Sequence, residues 1–493
     1  MTNSAYENLI EYIKTTSALE EIGGVLGWDQ EVMMPRKGNA QRSEQTAALE
    51  AAIHARRTDP QFADLIAAVD PSGTDQAVKV NVTEAQRTYD RATKIPASLA
   101  TELARVTSGA QQVWADARAA NKYADFAPTL KKVLDLKRQE AACLSDGDPY
   151  DALLDDFEPG MKSEPLAEIL GRLRPGLTEL RGKIAEKGLD VPQITKVYGG
   201  DQQMAVAHRL AEAFDYDWEA GRLDLSVHPF SSGSNNDSRI TTRVAENNVF
   251  DCFYSTIHEV GHSKYEQGMP LALAGTPAGK YASMGVHESQ SRLAENQIGR
   301  SREFTSWMFG VMTDEMGDFG LKTPEELYRA ANRVETGFIR TEADEIHYNL
   351  HVLLRFELER ALIRDDLQVA DLEAVWNETF ERDFGVKVPD AANGVLQDVH
   401  WSVGLFGYFP TYSLGNIYAG ELYASFRADT PSLDADTAKG DTTKVMAWMG
   451  KHIHQKAHLS TPEQTIANAV GHMPSEKPLL EYLERKFGDL YDL

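Results

Sequence analysis

Residues 258–262, His258-Glu259-Val260-Gly261-His262, place two metal-binding side chains around a carboxylate. On an α-helix, residues four positions apart leave the same face about one turn apart. Both imidazoles could therefore hold one ion, and zinc is the usual metal for such ligands. Glu259 lies beside them and could take a proton from a water molecule held by the metal. The spacing is typical of zinc metallopeptidases, which make a nucleophile in this way at neutral pH.

The residues around this motif predict a buried helix. Phe253, Tyr254 and Ile257 make its preceding turns apolar. Gly268-Met269-Pro270 supplies a helix stop signal. Gly261 inside the helix costs about 1 kcal/mol relative to alanine, which close packing or function usually explains.

A catalytic zinc ion takes three protein ligands and keeps one position open for water. In the extended form of the motif, a glycine and a third histidine follow the second histidine by three and six residues. Tyr265 and Gly268 occupy those positions here, so the third ligand must lie further along the chain. Four side chains could supply it: His287, Glu288, Glu295 and His347.

Glu288 is the predicted third ligand. Residues 281–300 are expected to form a second helix, and Glu288 lies near its start, 26 residues after His262. A short loop and an antiparallel return would bring it over the first helix and complete a site of two histidines and one carboxylate. We expect His287 and Glu295 to lie behind the ligands or to face solvent. Arg292 stands four residues after Glu288, so no carboxylate there can orient a histidine.

Further signatures occur in order along the chain. The metal motif continues through residues 263–267, and Gly27-Trp28-Asp29 and Met34-Pro35 lie near the N-terminus. The other signatures are His228-Pro229-Phe230, Asp237-Ser238-Arg239-Ile240-Thr241, His287-Glu288-Ser289-Gln290-Ser291-Arg292, Ile339-Arg340-Thr341-Glu342-Ala343-Asp344 and Gly394-Val395-Leu396-Gln397-Asp398-Val399-His400-Trp401. With them the chain resembles the carboxypeptidase Taq family of metallocarboxypeptidases, from about residue 5 to the C-terminus.

The resemblance implies an enzyme that releases single amino acids from peptide C-termini with broad specificity. It also implies a mostly helical fold with a long groove, and usually a homodimer. We expect one Zn²⁺ per chain, with Co²⁺ as a possible substitute because the ligand set accepts either ion. Two alternatives remain: a zinc oligopeptidase or endopeptidase with the same metal site, and a helical binding protein that holds metal without turnover.

Peptide hydrolysis also needs a hydrogen-bond donor for the oxyanion of the tetrahedral intermediate. Residues 404–412 form a glycine-punctuated aromatic loop that could present a phenol to a cleft. Tyr408 and Tyr412 are the candidate donors, and His400 is a third. The alternative is that these rings only pack, as aromatic residues near a tryptophan commonly do.

A carboxypeptidase must also recognise a terminal carboxylate, and the planar fork of arginine suits that group. The resemblance points to Arg340, although a helical ion pair with Asp344 is the alternative. It assigns Arg239 and His228 a role in limiting the length of the occupied groove; without it they would form an ion pair and a turn. Residues 237–241 alternate as in a strand, and a strand at a cleft can bind extended substrate by edge pairing. His347 and His351, four residues apart, are expected to line the cleft or to pack.

The chain as a whole predicts one large, mainly α domain over residues 1–493, with a small sheet beside the active-site helix. A helical part over about 1–200 would cover the groove, and the catalytic part would span about 201–493. Apolar residues recur at helical spacing over 4–23, 163–188 (with Pro175 bending it), 323–367 and 460–471. Thr323 and Thr461 each begin a capping box with proline in the first helical position. The strand candidates lie between Leu223 and Val244.

Net charge, apolar runs and cysteine count limit the kinds of partner and the compartment that we expect for this chain. The formal charge of −25 disfavours nucleic acid and anionic membranes as partners. We identify no secretory signal and no run of about 18 apolar residues that could span a membrane. Two cysteines, Cys143 and Cys252, make no disulfide framework, and a reducing cytoplasm fits.

Overall fold

A computed structural model describes residues 2–493 and confirms a mainly helical fold with one small sheet. The α-helices of this part of the chain are α1 (Thr2–Val32), α2 (Asn39–Arg57), α3 (Pro60–Ala67), α4 (Gln76–Lys94), α5 (Ala97–Ala119), α6 (Tyr123–Leu144), α7 (Pro149–Leu154), α8 (Ser163–Lys187), α9 (Gly200–Ala213), α10 (Val249–Gly268), α11 (Met284–Arg292), α12 (Arg302–Met316), α13 (Pro324–Ala331), α14 (Glu345–Ile363), α15 (Leu372–Phe384), α16 (Pro410–Asp429), α17 (Leu433–Thr437), α18 (Thr443–His452), α19 (Pro462–Val470) and α20 (Lys477–Tyr491). The strands are β1 (Leu223–Leu225), β2 (Ser231–Ser234) and β3 (Asp237–Thr242).

The chain divides into two compact units. Unit 1 comprises Met1–Thr93, Val191–Asn332 and Tyr418–Pro474, and unit 2 comprises Lys94–Asp190, Arg333–Ile417 and Ser475–Leu493. The single domain expected from the sequence, with a boundary near residue 200 between a helical part and a catalytic part, stays a prediction.

In unit 1, helix α10 packs against β2, β3, α9 and α11. Its inward face is apolar, and Phe253, Ile257 and Val260 are fully buried, as its sequence pattern predicts. The helix ends at Gly268, just before Met269-Pro270. A hydrogen bond of 2.6 Å between Ser238 Oγ and Ser263 Oγ ties β3 to the helix.

The sheet has the order β1-β3-β2, with β3 parallel to β1 and antiparallel to β2. The prediction that residues 237–241 could bind extended substrate by edge pairing is therefore wrong, because β3 is bonded to a strand on each side. The edge strand beside α10 is β2.

In unit 2, helix α14 is the central element and packs against α6, α7, α8 and α15. Fifteen of its residues are buried, which explains why no polar face of this helix is evident in the sequence. The C-terminal helix α20 packs against α8.

Several predicted helices differ from those observed. α8 and α19 agree with prediction, and Thr323 and Thr461 cap their helices by accepting from Glu326 N and Gln464 N. The helix predicted over 4–23 runs on to Val32. The helical spacing over 323–367 covers two helices, since α13 ends at Ala331 and α14 begins only at Glu345.

No helix among residues 2–493 combines the length and the apolar character needed to cross a membrane.

Candidate metal centre and active site

Two helices of unit 1 bring the three candidate ligand side chains together. Helix α10 carries His258 and His262, whose ring centres lie 4.9 Å apart, and α11 carries Glu288. Glu288 Oε2 lies 3.7 Å from His258 Nε2 and 3.3 Å from His262 Nε2. One potential ligand atom of each residue falls within 4.8 Å of the other two. The predicted trio therefore forms a compact cluster.

The close approach of α10 and α11 depends on Gly261. A Cβ atom at this position would lie 2.5 Å from Ser291 Cα and 2.7 Å from Gln290 O, which is closer than carbon atoms can pack. The glycine therefore allows the two helix backbones to meet one turn away from Glu288. Ser283 begins α11 by accepting a hydrogen bond from Val286 N, which fixes where the helix starts.

Glu295 orients His258. After Arg292 the chain passes into a π-helix, Leu293–Gly299, whose wider turn changes the direction of the following side chains. Glu295 Oε2 thereby lies 2.9 Å from His258 Nδ1. Arg300 donates to Glu295 Oε1 at 3.1 Å, and Arg292 donates to Oε2 at 3.3 Å. Burial opposes ionisation, but the hydrogen bond with His258 and the charges of Arg292 and Arg300 outweigh it and hold the pKa of the Glu295 carboxyl well below its usual range.

His262 is oriented by a second chain of groups. Its Nδ1 atom lies 2.6 Å from His287 Nδ1, and His287 Nε2 lies 3.0 Å from Glu266 Oε1. Glu266 is on the same helix as His262, one turn further on. His287 therefore lies behind the cluster, one of the two places expected for it.

Glu288 is held as an ionised carboxylate. Arg292 Nε donates to its Oε1 at 2.7 Å, and Ser291 Oγ donates to its Oε2 at 3.2 Å. Burial opposes ionisation, but Arg292 and His258 outweigh it and place the pKa of Glu288 far below its ordinary value.

The donor set fits a divalent metal ion. Both histidines have their Nδ1 atoms engaged, which leaves the Nε2 lone pairs directed toward Glu288. Burial lowers the pKa of His262 to about 3, so this ring is neutral, the form that binds metal. Two imidazoles and a carboxylate are ligands that zinc accepts.

Glu259 is buried beside the cluster, with 6% of its surface exposed. Burial raises the pKa of its carboxyl to about 7, and the neighbouring Glu288 adds to the rise while a hydrogen bond with Ser231 opposes it. A carboxyl group with this pKa exchanges protons readily at neutral pH, as a general base requires. Ser231 belongs to the edge strand β2.

A cavity of about 710 Å³ in unit 1 is lined by α1, by β2 and by residues 266–281. Glu266 and Tyr281 belong to its wall, and Tyr281 packs edge-on against His287. The cavity therefore adjoins the groups that orient His262.

Arg239 and His228 occupy different settings in unit 1. Arg239 forms a two-pronged ion pair with Asp237 at 2.6 and 2.8 Å, and its guanidinium lies 4.4 Å from the ring centre of Trp28. Arg239, Asp237 and Trp28 all line the 710 Å³ cavity. His228 is exposed in the turn between β1 and β2, where its carbonyl accepts from Ser226 Oγ.

Unit 2 contains a buried cluster of two arginines and one aspartate. Arg340, 5% exposed, donates through Nε to Asp398 Oδ1 at 3.1 Å and through an Nη atom to Tyr348 Oη at 3.2 Å. Arg355 donates to the other Asp398 oxygen at 2.6 Å. The alternative pairing of Arg340 with Asp344 is wrong, because Asp344 caps α14.

The aromatic residues predicted to act together are neighbours in unit 2. The rings of Tyr408 and Tyr412 lie 5.2 Å apart, and His400 lies 5.9 Å from Tyr408. The Arg340 guanidinium lies 5.0 Å from the Tyr412 ring centre. All three candidate donors are half-buried, so each ring keeps a surface that a ligand could reach.

Other candidates have structural settings. His347 and His351 are buried against Phe384, and His347 Nδ1 bonds to Asp344 at 2.8 Å. Both histidine rings therefore pack in the interior, which is one of the two settings expected from the sequence. Cys143 and Cys252 are free thiols.

Sequence reasoning missed the role of Glu266 and did not identify the partner that orients each histidine. Glu295 lies behind the cluster, one of the two places expected for it. A signal for Glu266 exists, since it lies four residues after His262 on the same helix. Glu295 stands seven residues after Glu288, which on a regular helix is the same face two turns further on, but the π-helix Leu293–Gly299 sets its direction toward His258.

Comparisons with known proteins identify the family of this chain. The family described as carboxypeptidase Taq (M32) metallopeptidase matches residues 8–487. A protein named thermostable carboxypeptidase 1, from Thermus thermophilus, is 40% identical over 99% of both chains. The crystal structure of an M32 carboxypeptidase from Deinococcus radiodurans has a TM-score of 0.96 at 36% identity, covering 99% of this chain and 100% of that one. Metallocarboxypeptidase 1 of Trypanosoma cruzi also has a TM-score of 0.96, at 34% identity over 98% of this chain and 99% of that one. The chain therefore belongs to the carboxypeptidase Taq (M32) family of metallopeptidases and is a metal-dependent carboxypeptidase.

Proposed function

We propose that the enzyme removes single residues from peptide C-termini, with His258, His262 and Glu288 as metal ligands and Glu259 as the proton-transfer group. The observation that carries this proposal is the compact trio beside a buried carboxyl group whose pKa is about 7. When bound, a divalent metal ion acidifies water and polarises a carbonyl group.

Glu259 would act twice in the reaction. As a base it accepts the proton of the attacking water, and as an acid it delivers that proton to the leaving amide nitrogen. The burial that raises its pKa supports both steps, because such a carboxyl group accepts and holds a proton more readily than an exposed glutamate. Its hydrogen bond with Ser231 holds the carboxyl group against the edge of the sheet.

Arg340 would bind the C-terminal carboxylate of the substrate. Asp398 is shared by Arg340 and Arg355, so these three side chains carry one excess positive charge. Burial lowers the pKa of the adjacent His400 to about 4, so that ring adds no charge at neutral pH. A buried cation without a full counter-charge favours an incoming carboxylate.

Tyr408, Tyr412 and His400 are the proposed donors to the oxyanion of the tetrahedral intermediate. Their half-buried rings form one cluster with Arg340. A phenol O–H or an imidazole N–H can donate a hydrogen bond to developing negative charge. Tyr408 follows Gly407, whose φ of +87° is a backbone conformation that favours glycine.

The substrate backbone would lie along β2 in the 710 Å³ cavity. β2 is the edge of the sheet and its Ser231 contacts Glu259, and an edge strand can pair with an extended peptide. Arg239, fixed between Asp237 and Trp28, and the exposed His228 would limit how much peptide the groove accepts.

Zinc is the proposed metal, one ion per chain with Co²⁺ as a substitute, and the proposed state is a cytoplasmic homodimer. The ligand types support zinc, and the free thiols of Cys143 and Cys252 suit a reducing compartment. Elemental analysis of the purified protein would measure the metal, and light scattering after size-exclusion chromatography would measure the oligomeric state.

Mass spectrometry of peptide digests tests the proposed reaction. An N-blocked peptide should yield a ladder shortened by one residue at a time, and Glu259→Gln should abolish it while metal binding persists. Asp251→Asn, on the same helix but paired with Arg243, is the matched control and should keep activity. Internal fragments from the native enzyme would instead support the endopeptidase alternative, and an unchanged ladder from Glu259→Gln would contradict the assignment of the base.

A further inference from the structure

Glu359 carries a fully buried carboxyl group in unit 2 that the proposed reaction does not use. It projects from α14 and receives three hydrogen bonds. Trp401 Nε1 donates to Oε1 at 2.8 Å, while Tyr150 Oη and Gly407 N donate to Oε2 at 2.9 and 3.2 Å. Burial keeps the pKa of Tyr150 well above its ordinary value, so the phenol retains its proton and remains a donor.

The three donors come from separate segments. Tyr150 belongs to α7, Trp401 directly follows His400, and Gly407 directly precedes Tyr408. One carboxyl group thus holds the two backbone segments that carry His400 and Tyr408.

The loop around Gly407 has little room to move. A Cβ atom on Gly407 would lie 2.8 Å from the backbone of Leu153 and Leu154 in α7. The Trp401 ring stacks parallel to Phe406 at 6.2 Å. If the bonds to Glu359 were lost, the buried N–H groups of Trp401 and Gly407 would lack their acceptor, and the loop would have to shift to find another.

We propose that Glu359 is a positioning residue that fixes Tyr408 and His400 for transition-state stabilisation. This inference rests on the proposed roles of Tyr408 and His400. Glu359 touches neither substrate nor metal ligands in this role; it acts through the backbone of Gly407 and the indole of Trp401.

The Glu359→Gln variant tests the inference with almost no change in side-chain volume. An amide oxygen can replace one carboxylate oxygen, but the amide nitrogen cannot accept a hydrogen bond. Either the indole of Trp401 or the amide of Gly407 therefore loses its acceptor. Small displacements of positioned groups reduce catalysis strongly, so we expect kcat to fall at least about tenfold while KM and metal affinity stay within about twofold.

Glu345→Gln is the matched control. Glu345 also lies on α14, with 8% of its side chain exposed, but it accepts from Tyr482 and Lys486 of α20 rather than from the loop. It should weaken folding without changing kcat. Hydrogen exchange should accelerate in residues 401–412 of Glu359→Gln and stay unchanged in that segment of Glu345→Gln.

Tyr408→Phe, measured in parallel, separates the two proposals. If Tyr408→Phe lowers kcat and Glu359→Gln does not, the inference is wrong and the role of Tyr408 stands. Equal loss of kcat in Glu345→Gln and Glu359→Gln would also overturn it, since general destabilisation would then explain both. If neither Tyr408→Phe nor His400→Ala changes kcat, the inference fails together with the proposed donors, while the role of Glu259 is decided by its own variant.

Discussion

Replacing Glu295 should weaken metal binding although Glu295 is not itself a proposed ligand. Its carboxylate fixes the ring of His258 through a 2.9 Å bond to Nδ1 and thereby directs Nε2 toward Glu288. Loss of such a partner typically costs 10–100-fold in metal affinity, which corresponds to about 1.4–2.7 kcal/mol. Glu295→Gln keeps an acceptor and loses only the charge, so we expect a loss near the lower limit, roughly tenfold. Glu295→Ala loses both and should approach the upper limit, roughly 100-fold.

Competition against a chromophoric chelator at fixed pH measures these affinities directly. Arg292 and Arg300 both donate to Glu295, so each substitution also removes contacts that stabilise the fold. Unfolding of the metal-free proteins measures this loss of folding free energy separately from the loss of metal affinity. Asp251→Asn removes a carboxylate from α10 without touching the cluster and should retain the native affinity. An affinity of Glu295→Ala within twofold of the native protein would refute the reasoning, since His258 would then need no orienting partner.

Three further predictions concern other parts of the molecule. Gly261→Ala should push α11 away, because the new Cβ would lie 2.5 Å from Ser291 Cα; we expect lower metal affinity and a free energy of unfolding reduced by about 1–3 kcal/mol. Gly310→Ala is the control, since Gly310 is exposed in α12 and no atom lies within 4 Å of the new Cβ. This variant should stabilise the protein by up to about 1 kcal/mol. Burial raises the pKa of Glu359 from 4.5 to about 7, so the folded state binds the proton more tightly than the unfolded state and stability falls as pH rises through this window. In urea unfolding of the metal-free proteins, the native chain should lose on the order of 3 kcal/mol relative to Glu359→Gln between pH 4.5 and 7. A difference in unfolding free energy that stays constant over this range would contradict the prediction. Arg340→Met should lower kcat/KM for free-acid peptides roughly 10–100-fold and leave any turnover of C-terminally amidated peptides unchanged. Equal losses on both substrates would exclude a carboxylate contact.

The trio of candidate ligands was predictable because it depends on local geometry. His258 and His262 share a helix face by spacing alone, and Glu288 follows from a helix, a turn and a return. The structure groups these three residues, while their role as ligands stays a prediction. Glu295 was expected behind the ligands or facing solvent, but its bond to His258 was not predicted, because a π-helix rather than a regular turn sets its direction.

Differences in the fold have tertiary causes. The helix predicted to stop at Gly23 continues to Val32, since α1 packs against α2, α3 and β2 and these contacts outweigh the low helix propensity of glycine. The two helices within 323–367 are separated because Asp344 accepts from the backbone N–H groups of Ile346 and His347 and so begins a new helix. The central position of β3 follows from pairing with β1 and β2, which the alternation within one strand does not reveal.

The metal centre can be tested most directly by X-ray diffraction at the zinc absorption edge, on crystals grown with zinc. We predict one anomalous peak per chain, about 2.0–2.2 Å from Nε2 of His258, from Nε2 of His262 and from an oxygen of Glu288. A peak held by other side chains, or Glu288 bonded to Arg292 while turned away from the ion, would contradict the proposed ligand set and the chemistry built on it.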